Sequence, residues 1–296
     1  MKILVIGREG QVGWELARVL APLGPLTCLG RPELDLREPD RIRRTLAEAR
    51  PDVVVNAAAY TAVDRAEQEP ELAHQVNALA PAVLAEAARD CEAAFIHFST
   101  DYVFDGAQSR PYREDDDPNP LSVYGRTKLE GEQRIHRVGG ASLILRTSWV
   151  FSLRRPCFVT QVLHWAHTQD RLRIAQDQVG SPTWARLLAE ATGMLLVRLG
   201  PNPAQALSGL SGIYHLAASN SASRLEWARQ ILRLDPNADQ QRLTAEAIEP
   251  AYSRNFPTPA TRPAFSALDS SRFASAFGLR LPSWEEGLRL AMDPDS

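Results

Sequence analysis

Gly7-Arg8-Glu9-Gly10-Gln11-Val12-Gly13 follows the apolar run Ile3-Leu4-Val5-Ile6 and leads into a helical pattern through Trp14, Leu16, Val19 and Leu20. Three glycines spaced by three residues at a strand-to-helix turn are what a pyrophosphate site requires. The first permits the tight turn, the second lets the backbone approach the phosphates, and the third lets helix and strand pack closely. The helix N-terminus then presents free N–H groups to the anion. Turns collect glycine for other reasons, so the triplet gains its meaning from its place after a strand and before a helix. Gly7, Gly10, Gln11, Val12 and Gly13 are assigned to this turn.

Outward from it, short apolar runs at 26–29, 52–55, 94–98 and 142–147 alternate with amphipathic segments near 11–21, 38–49, 70–90 and 121–137. Such alternation predicts an α/β fold, a Rossmann-type doubly wound parallel sheet covered by helices on both faces. Asp52-Val53-Val54-Val55 is apolar on consecutive positions, as a doubly covered strand should be. The second half is less regular, with helices expected near 156–168, 182–198, 222–233 and 283–291 and strands at 212–216 and 243–248. The expected division is a dinucleotide-binding domain over 1–150 and a smaller substrate-binding lobe over 151–296, some of whose segments return to the first domain. Residues 108–120, with Asp115-Asp116-Asp117, read as an exposed loop, and Phe256–Pro263 as a rigid one.

Bulk properties narrow the function. The formal net charge of -3, with both signs mixed along the chain, suggests neither a nucleic-acid nor a membrane surface. The N-terminal apolar run is too short for a signal peptide or a membrane span. Cys28, Cys91 and Cys157 are scattered and odd in number, which argues against a disulfide framework or zinc site and fits the reducing cytoplasm. His164 and His167 share a helical face without a ligand set around them, and read as packing or surface residues rather than metal ligands. Of 33 cationic side chains only Lys2 and Lys128 are lysines, the other 31 being arginines. A chain that uses arginine wherever a positive charge will do needs a reason for Lys128.

Tyr124-Gly125-Arg126-Thr127-Lys128 supplies one. A four-residue spacing on a helix stacks both side chains on one face. Reducing a carbonyl leaves an alkoxide that must receive a proton, and a phenol can donate it if a neighbouring ammonium lowers its pKa. The strand at 94–98 ends in Ser99-Thr100-Asp101, and ligands of open α/β sheets bind beyond such carboxyl ends, so Thr100 is placed to meet the substrate carbonyl or the tyrosine oxygen. Ala57, Ala58 and Ala59, after the third strand, offer a small-residue platform for a nicotinamide ribose, with ordinary packing as the alternative. Trp149 either stacks on a sugar or base, or belongs to the core. Arg31 stands where an acidic residue would favour NAD and suits the 2′-phosphate of NADPH, while Asp35 or Glu33 could reach the ribose or adenine instead and would leave NADH open.

The strings GQVGWEL (10–16), RPDVVVNAAAYTAVDRAEQEPELA (50–73), STDYVF (99–104), VYGRTKLEGE (123–132), LRTSWVF (145–151) and PTPATRP (257–263) resemble the dTDP-4-dehydrorhamnose reductase family of extended short-chain dehydrogenases, along nearly the whole chain. The resemblance implies reduction of the C4 keto group of dTDP-4-dehydro-β-L-rhamnose to dTDP-β-L-rhamnose. It implies Tyr124 as proton donor with Lys128 beside it and Thr100 tuning the site. Gly10, Gln11, Val12, Asp35, Leu36 and Ala57 to Ala59 match cofactor contacts, and Thr100, Asp101 and Trp149 match substrate contacts. Gly30-Arg31 departs from the acidic residue that some members carry. Some members dimerise through magnesium held by glutamates, which makes a homodimer an expected assembly. Glu15 and Glu286 would contribute, but without the remaining ligands no metal site is assigned. Two other readings share the fold. An epimerase or dehydratase would retain tightly bound NAD, and a regulatory subunit resembling that of methionine adenosyltransferase would not need Tyr124, Lys128 and Thr100 intact.

Overall fold

The computed structural model describes residues 1–293, so the last three residues of the expected C-terminal lobe lie outside the described residues. Six parallel strands form the central sheet: β1 (Ile3–Ile6), β2 (Leu26–Leu29), β3 (Val53–Asn56), β4 (Ala94–Thr100), β5 (Ser142–Thr147) and β6 (Gly212–His215), in the order β2-β1-β3-β4-β5-β6. The chain leaves β1 in one direction to build β2 and returns past it to build β3. The gap between β1 and β3 is therefore the switch point at which such sheets bind ligands.

Alternate side chains explain why the inner strands are apolar on consecutive positions. Ile3, Val5, Val53, Val55, Ile96 and Leu145 face one side, where helices α1 (Gln11–Val19) and α6 (Ala185–Leu199) contribute Leu16, Leu20, Leu188 and Leu195. Leu4, Ile6, Val54, Phe95 and Ile144 face the other, under α2 (Pro39–Ala49), α3 (Ala80–Asp90) and α4 (Val123–Val138), which contribute Ile42, Leu46, Leu84 and Ile135. Both faces are covered, so a polar side chain in these strands, such as Asn56 or His97, needs a partner inside the protein.

A second apolar cluster lies beyond the carboxyl ends of the sheet. Helices α5 (Phe158–Thr168), α7 (Arg224–Arg233) and α8 (Trp284–Met292) meet there around Trp227, Phe151 and Leu288. Short strand pairs lie in the same half, among them Val150–Phe151 with Thr183–Trp184 and Arg173–Ala175 with Glu249–Ala251.

The strand expected at 243–248 is displaced. Buried positions Leu243, Ala245 and Ile248 are spaced by two and then three, and Ala245–Ala247 form a 3-10 turn ahead of the strand Glu249–Ala251. The loop at 108–120 is anchored more firmly than expected. Tyr112 is buried against Phe104 with ring centroids 4.2 Å apart, Glu114 accepts from the His215 backbone N–H, and Asp116 pairs with Arg110 at 2.7 Å. No helix among the described residues is long and apolar enough to cross a membrane.

Candidate active site

The glycine turn is built as its spacing implies. Gly7 takes a φ of 95°, in the region that favours glycine, and a Cβ there would lie 2.7 Å from the Ala58 nitrogen. A Cβ on Gly13 would fall 2.0 Å from the Gly7 carbonyl oxygen, so this third glycine lets α1 sit down on the turn. Gly10 caps α1 without a side-chain bond, and no acidic residue occupies the first turn. The helix's leading N–H groups are thus left for an anion. The Gln11 side chain donates to the Val150 carbonyl while its own oxygen is buried without a partner.

This turn forms one end of a cleft of about 790 Å³ lined also by Arg31, Asp35, Leu36, Ala57, Ala58 and Ala59. Thr100, Asp101, Tyr124, Lys128 and Trp149 line the same cleft, whereas Gly13 and Glu33 do not. Arg31 is exposed at its rim. Asp35 is held by Arg37, whose guanidinium lowers the carboxyl pKa to about 2. Close by, Arg8 pairs with Glu33 at 2.7 Å, and Glu33 in turn accepts from the Gly30 N–H. A Cβ on Gly30 would collide with the Glu9 carboxylate. The 2′ end of a dinucleotide would meet Arg31, whose charge also bears on Asp35, though less than that of Arg37. The glycine cradle, the uncapped helix end and the alanine platform fit a nicotinamide dinucleotide.

Helix α4 brings in the reactive pair. Ser122 caps it by accepting from the Gly125 N–H, and Glu67 accepts from the Val123 N–H at 2.7 Å. Tyr124 therefore sits in a fixed first turn, half-buried, with its hydroxyl hydrogen-bonded to Thr100 and its ring edge-on to Tyr102 at 5.7 Å. Burial pushes the phenol pKa up, Thr100 offsetting part of the rise, so the phenol holds its proton at neutral pH. Lys128, one turn on and buried, directs its Nζ to the Phe98 carbonyl at 2.7 Å and to His97 at 3.1 Å rather than to Tyr124. Burial lowers its pKa to about 8.

Asp101 is buried beneath Thr100 and accepts from Ser148, Ser266 and Thr100 at 2.9, 2.5 and 3.1 Å. Burial raises its pKa to about 6. Trp149 adopts a φ of 43°, rare for a non-glycine residue, and its ring fills the space that Gly180 leaves by lacking a Cβ. The ring stacks on Trp227 at 5.5 Å and carries the Arg224 guanidinium 3.6 Å from its centroid. Wall and core roles thus coincide at Trp149. Arg224 also hydrogen-bonds the Tyr102 side chain and lines the cleft. Reading the sequence missed it, because one arginine among 31 carries no compositional signal. It missed His97 for a different reason, since a histidine inside an apolar strand reads as core.

His167 does have a carboxylate partner, Asp235 at 2.9 Å, which the chain delivers from 68 residues away. Glu286 pairs with Arg289, and Glu15 lies among Arg18, Arg186 and Glu190. No group of three metal-binding side chains occurs among the described residues.

A phenol at the carboxyl end of a parallel sheet, facing a glycine turn across one cleft, defines the class of Rossmann-type short-chain dehydrogenases and reductases. Within it the comparisons are specific. The family model described as RmlD substrate binding domain matches residues 1–296. A dTDP-4-dehydrorhamnose reductase of Burkholderia thailandensis is 43% identical over 99% of this chain and 98% of its own. The crystal structure of a dTDP-4-dehydrorhamnose reductase from Clostridium acetobutylicum superposes with a TM-score of 0.89 at 32% identity, covering 99% of each chain. One from Bacillus anthracis, solved in complex with NADP, gives 0.86 at 29% identity over 98% of each. The chain belongs to the dTDP-4-dehydrorhamnose reductase family.

Proposed function

We infer that the protein reduces the C4 keto group of dTDP-4-dehydro-β-L-rhamnose to dTDP-β-L-rhamnose, with NADPH as the preferred reductant and NADH as the alternative. The observation that carries this reading is the Tyr124 phenol, protonated and hydrogen-bonded to Thr100, in the cleft that the glycine turn closes. Full-length similarity to reductases, one of them solved with NADP, supports it.

When bound, the nicotinamide supplies the hydride. Gly7, Gly10, Gln11, Val12 and Gly13 form the pyrophosphate turn, Ala57 to Ala59 back the ribose, Arg31 meets the 2′-phosphate, and Asp35 and Leu36 flank the adenine end. Thr100 orients the substrate carbonyl and the Tyr124 hydroxyl together, and Tyr124 releases its proton from Oη as the alkoxide forms. Asp101 holds Thr100 in place. Trp149 and Arg224 form the wall against which the nucleotide-sugar lies, an aromatic face and a guanidinium suited to a ring and a phosphate. Residues 1–150 carry the cofactor and 151–296 mainly the substrate. We further infer a cytoplasmic location, with a homodimer as the assembly that the family resemblance implies.

Following NADPH oxidation with the dTDP-linked keto-sugar tests the reading. Stoichiometric turnover, abolished by Tyr124→Phe, is expected. A protein that purifies with one tightly held NAD and consumes no NADPH would instead be an epimerase or dehydratase.

A further inference from the structure

Asn56 and His97 are register partners on β3 and β4, and both are fully buried. The Asn56 carboxamide has its orientation fixed, because its Oδ1 accepts from the Ala58 backbone N–H at 3.1 Å. Its Nδ2 therefore faces His97 Nδ1, 3.0 Å away. An amide NH2 only donates, so Nδ1 must accept, and a neutral imidazole then carries its hydrogen on Nε2. Facing Nε2 is Lys128 Nζ at 3.1 Å, whose other neighbour is the Phe98 carbonyl oxygen. A carbonyl only accepts. Nζ must thus donate to Phe98 while accepting from His97, which an amine does with its lone pair and an ammonium cannot.

We propose that Asn56 and His97 form a relay of fixed tautomer that holds Lys128 as a neutral amine in the cofactor-free protein, which makes His97 a positioning residue for Lys128. Burial works in the same direction, lowering the Lys128 pKa to about 8, so the relay must lower it further for the neutral amine to prevail at neutral pH. Burial holds the His97 pKa well below its ordinary value, so the imidazole does not carry a second proton. The groups facing Lys128 are His97 and the Phe98 carbonyl on β4 and Tyr124 and Glu132 on its own helix. Asn56 on β3 acts through His97. Only Glu132 favours the ammonium, and its carboxylate is taken up by Arg146 and Ser99 at 2.6 and 2.5 Å. Filling the cleft with a polyanionic dinucleotide then draws a proton from solvent onto Nζ. That consequence rests on the reading of the cleft given above, whereas the protonation state of Lys128 set by Asn56 and His97 does not.

Composition makes the test direct, because lysine-selective isotope labelling yields only two side-chain signals and Lys2→Arg assigns them. In cofactor-free protein the Lys128 signal is expected to titrate below about pH 7, lower than burial alone takes it, and the His97 nitrogens to report a hydrogen on Nε2. Asn56→Asp offers a carboxylate to Nδ1, which moves the hydrogen there and frees Nε2 to accept from an ammonium. The Lys128 midpoint should then rise by about one pH unit or more. His97→Gln, which can present a carbonyl to Nζ, should raise it as well and serves if the first variant does not fold. A Lys128 that titrates as an ordinary lysine, a His97 with its hydrogen on Nδ1 in the native protein, or a tautomer switch that leaves the lysine midpoint unmoved would each overturn the proposal. None of these readouts requires turnover, so a failed reductase assay leaves them intact.

Discussion

A Cβ atom on Gly125 would stand 2.2 Å from the carbonyl oxygen of Tyr102. Helix α4 is therefore pressed against the turn after β4 more closely than any side chain allows, and this approach brings the Tyr124 hydroxyl to Thr100. Gly125→Ala must push the helix back. Overpacking of this kind costs about 1–3 kcal/mol of stability. The displaced phenol should lower kcat roughly a hundredfold, as misplacement by an ångström commonly does. Steady-state kinetics beside thermal unfolding check both, and a variant with native kcat would detach the close approach from catalysis.

Arg31→Asp tests the cofactor end. The guanidinium lies at the exposed cleft rim and acts on Asp35 less than Arg37 does, while Arg8 and Glu33 pair with each other. Loss of a charge-assisted contact should raise the NADPH KM roughly ten- to a hundredfold and leave the NADH KM nearly unchanged. Equal shifts for the two cofactors would remove Arg31 from the site.

At the substrate wall, Trp149→Ala removes the surface on which Arg224 lies. A desolvated cation–π contact contributes about 2 kcal/mol, so the nucleotide-sugar KM should rise roughly thirtyfold while the NADPH Kd stays within about twofold. Because the ring also packs on Trp227, the melting temperature should fall too. A lowered melting temperature with an unchanged substrate KM would leave Trp149 a core residue only.

Asp101 predicts a pH dependence of stability. Burial lifts its pKa from 3.8 to about 6 in the native state. Between those values the folded protein binds a proton that the unfolded chain has released. Stability contributed by this group is therefore full below about pH 4 and is lost as pH rises through 6, by about 3 kcal/mol in all. Asp101→Asn has no such proton to lose. Denaturant unfolding at several pH values should show the variant gaining on the native protein between about pH 4 and pH 7, and parallel profiles would contradict the raised pKa.

Much of this architecture was legible in the chain. β1, β3 and β5 fall where consecutive apolar residues stand between helix-like segments, and the glycine triplet found its turn because two of its three positions are sterically obligatory. Tyr124 and Lys128 were legible as a pair because helical spacing is local and lysine is rare here. The direction of the lysine was not, since it depends on His97 and Asn56, held in place by strand register. Arg224 and the Asp235 partner of His167 were hidden for the same reason. Each contact joins residues far apart in sequence, and only the folded chain brings them together. The shift from 243–248 to Glu249–Ala251 shows the remaining weakness, because a short apolar run does not say whether its backbone turns or extends.

The position of β6 has a consequence for how the chain must be made. β5 lies between β4 and β6, and its outer hydrogen-bonding groups are met by Gly212–His215, which lie some 70 residues further along. During synthesis at roughly 5–20 residues per second, β5 waits several seconds as an open, apolar edge before its neighbour emerges. Such an edge is a template for pairing with other chains. A polypeptide ending at residue 150 would keep that edge permanently, so it is expected to self-associate rather than fold as an isolated cofactor-binding unit. The two halves of the sequence are in this sense a single folding event, sealed by a strand that arrives late.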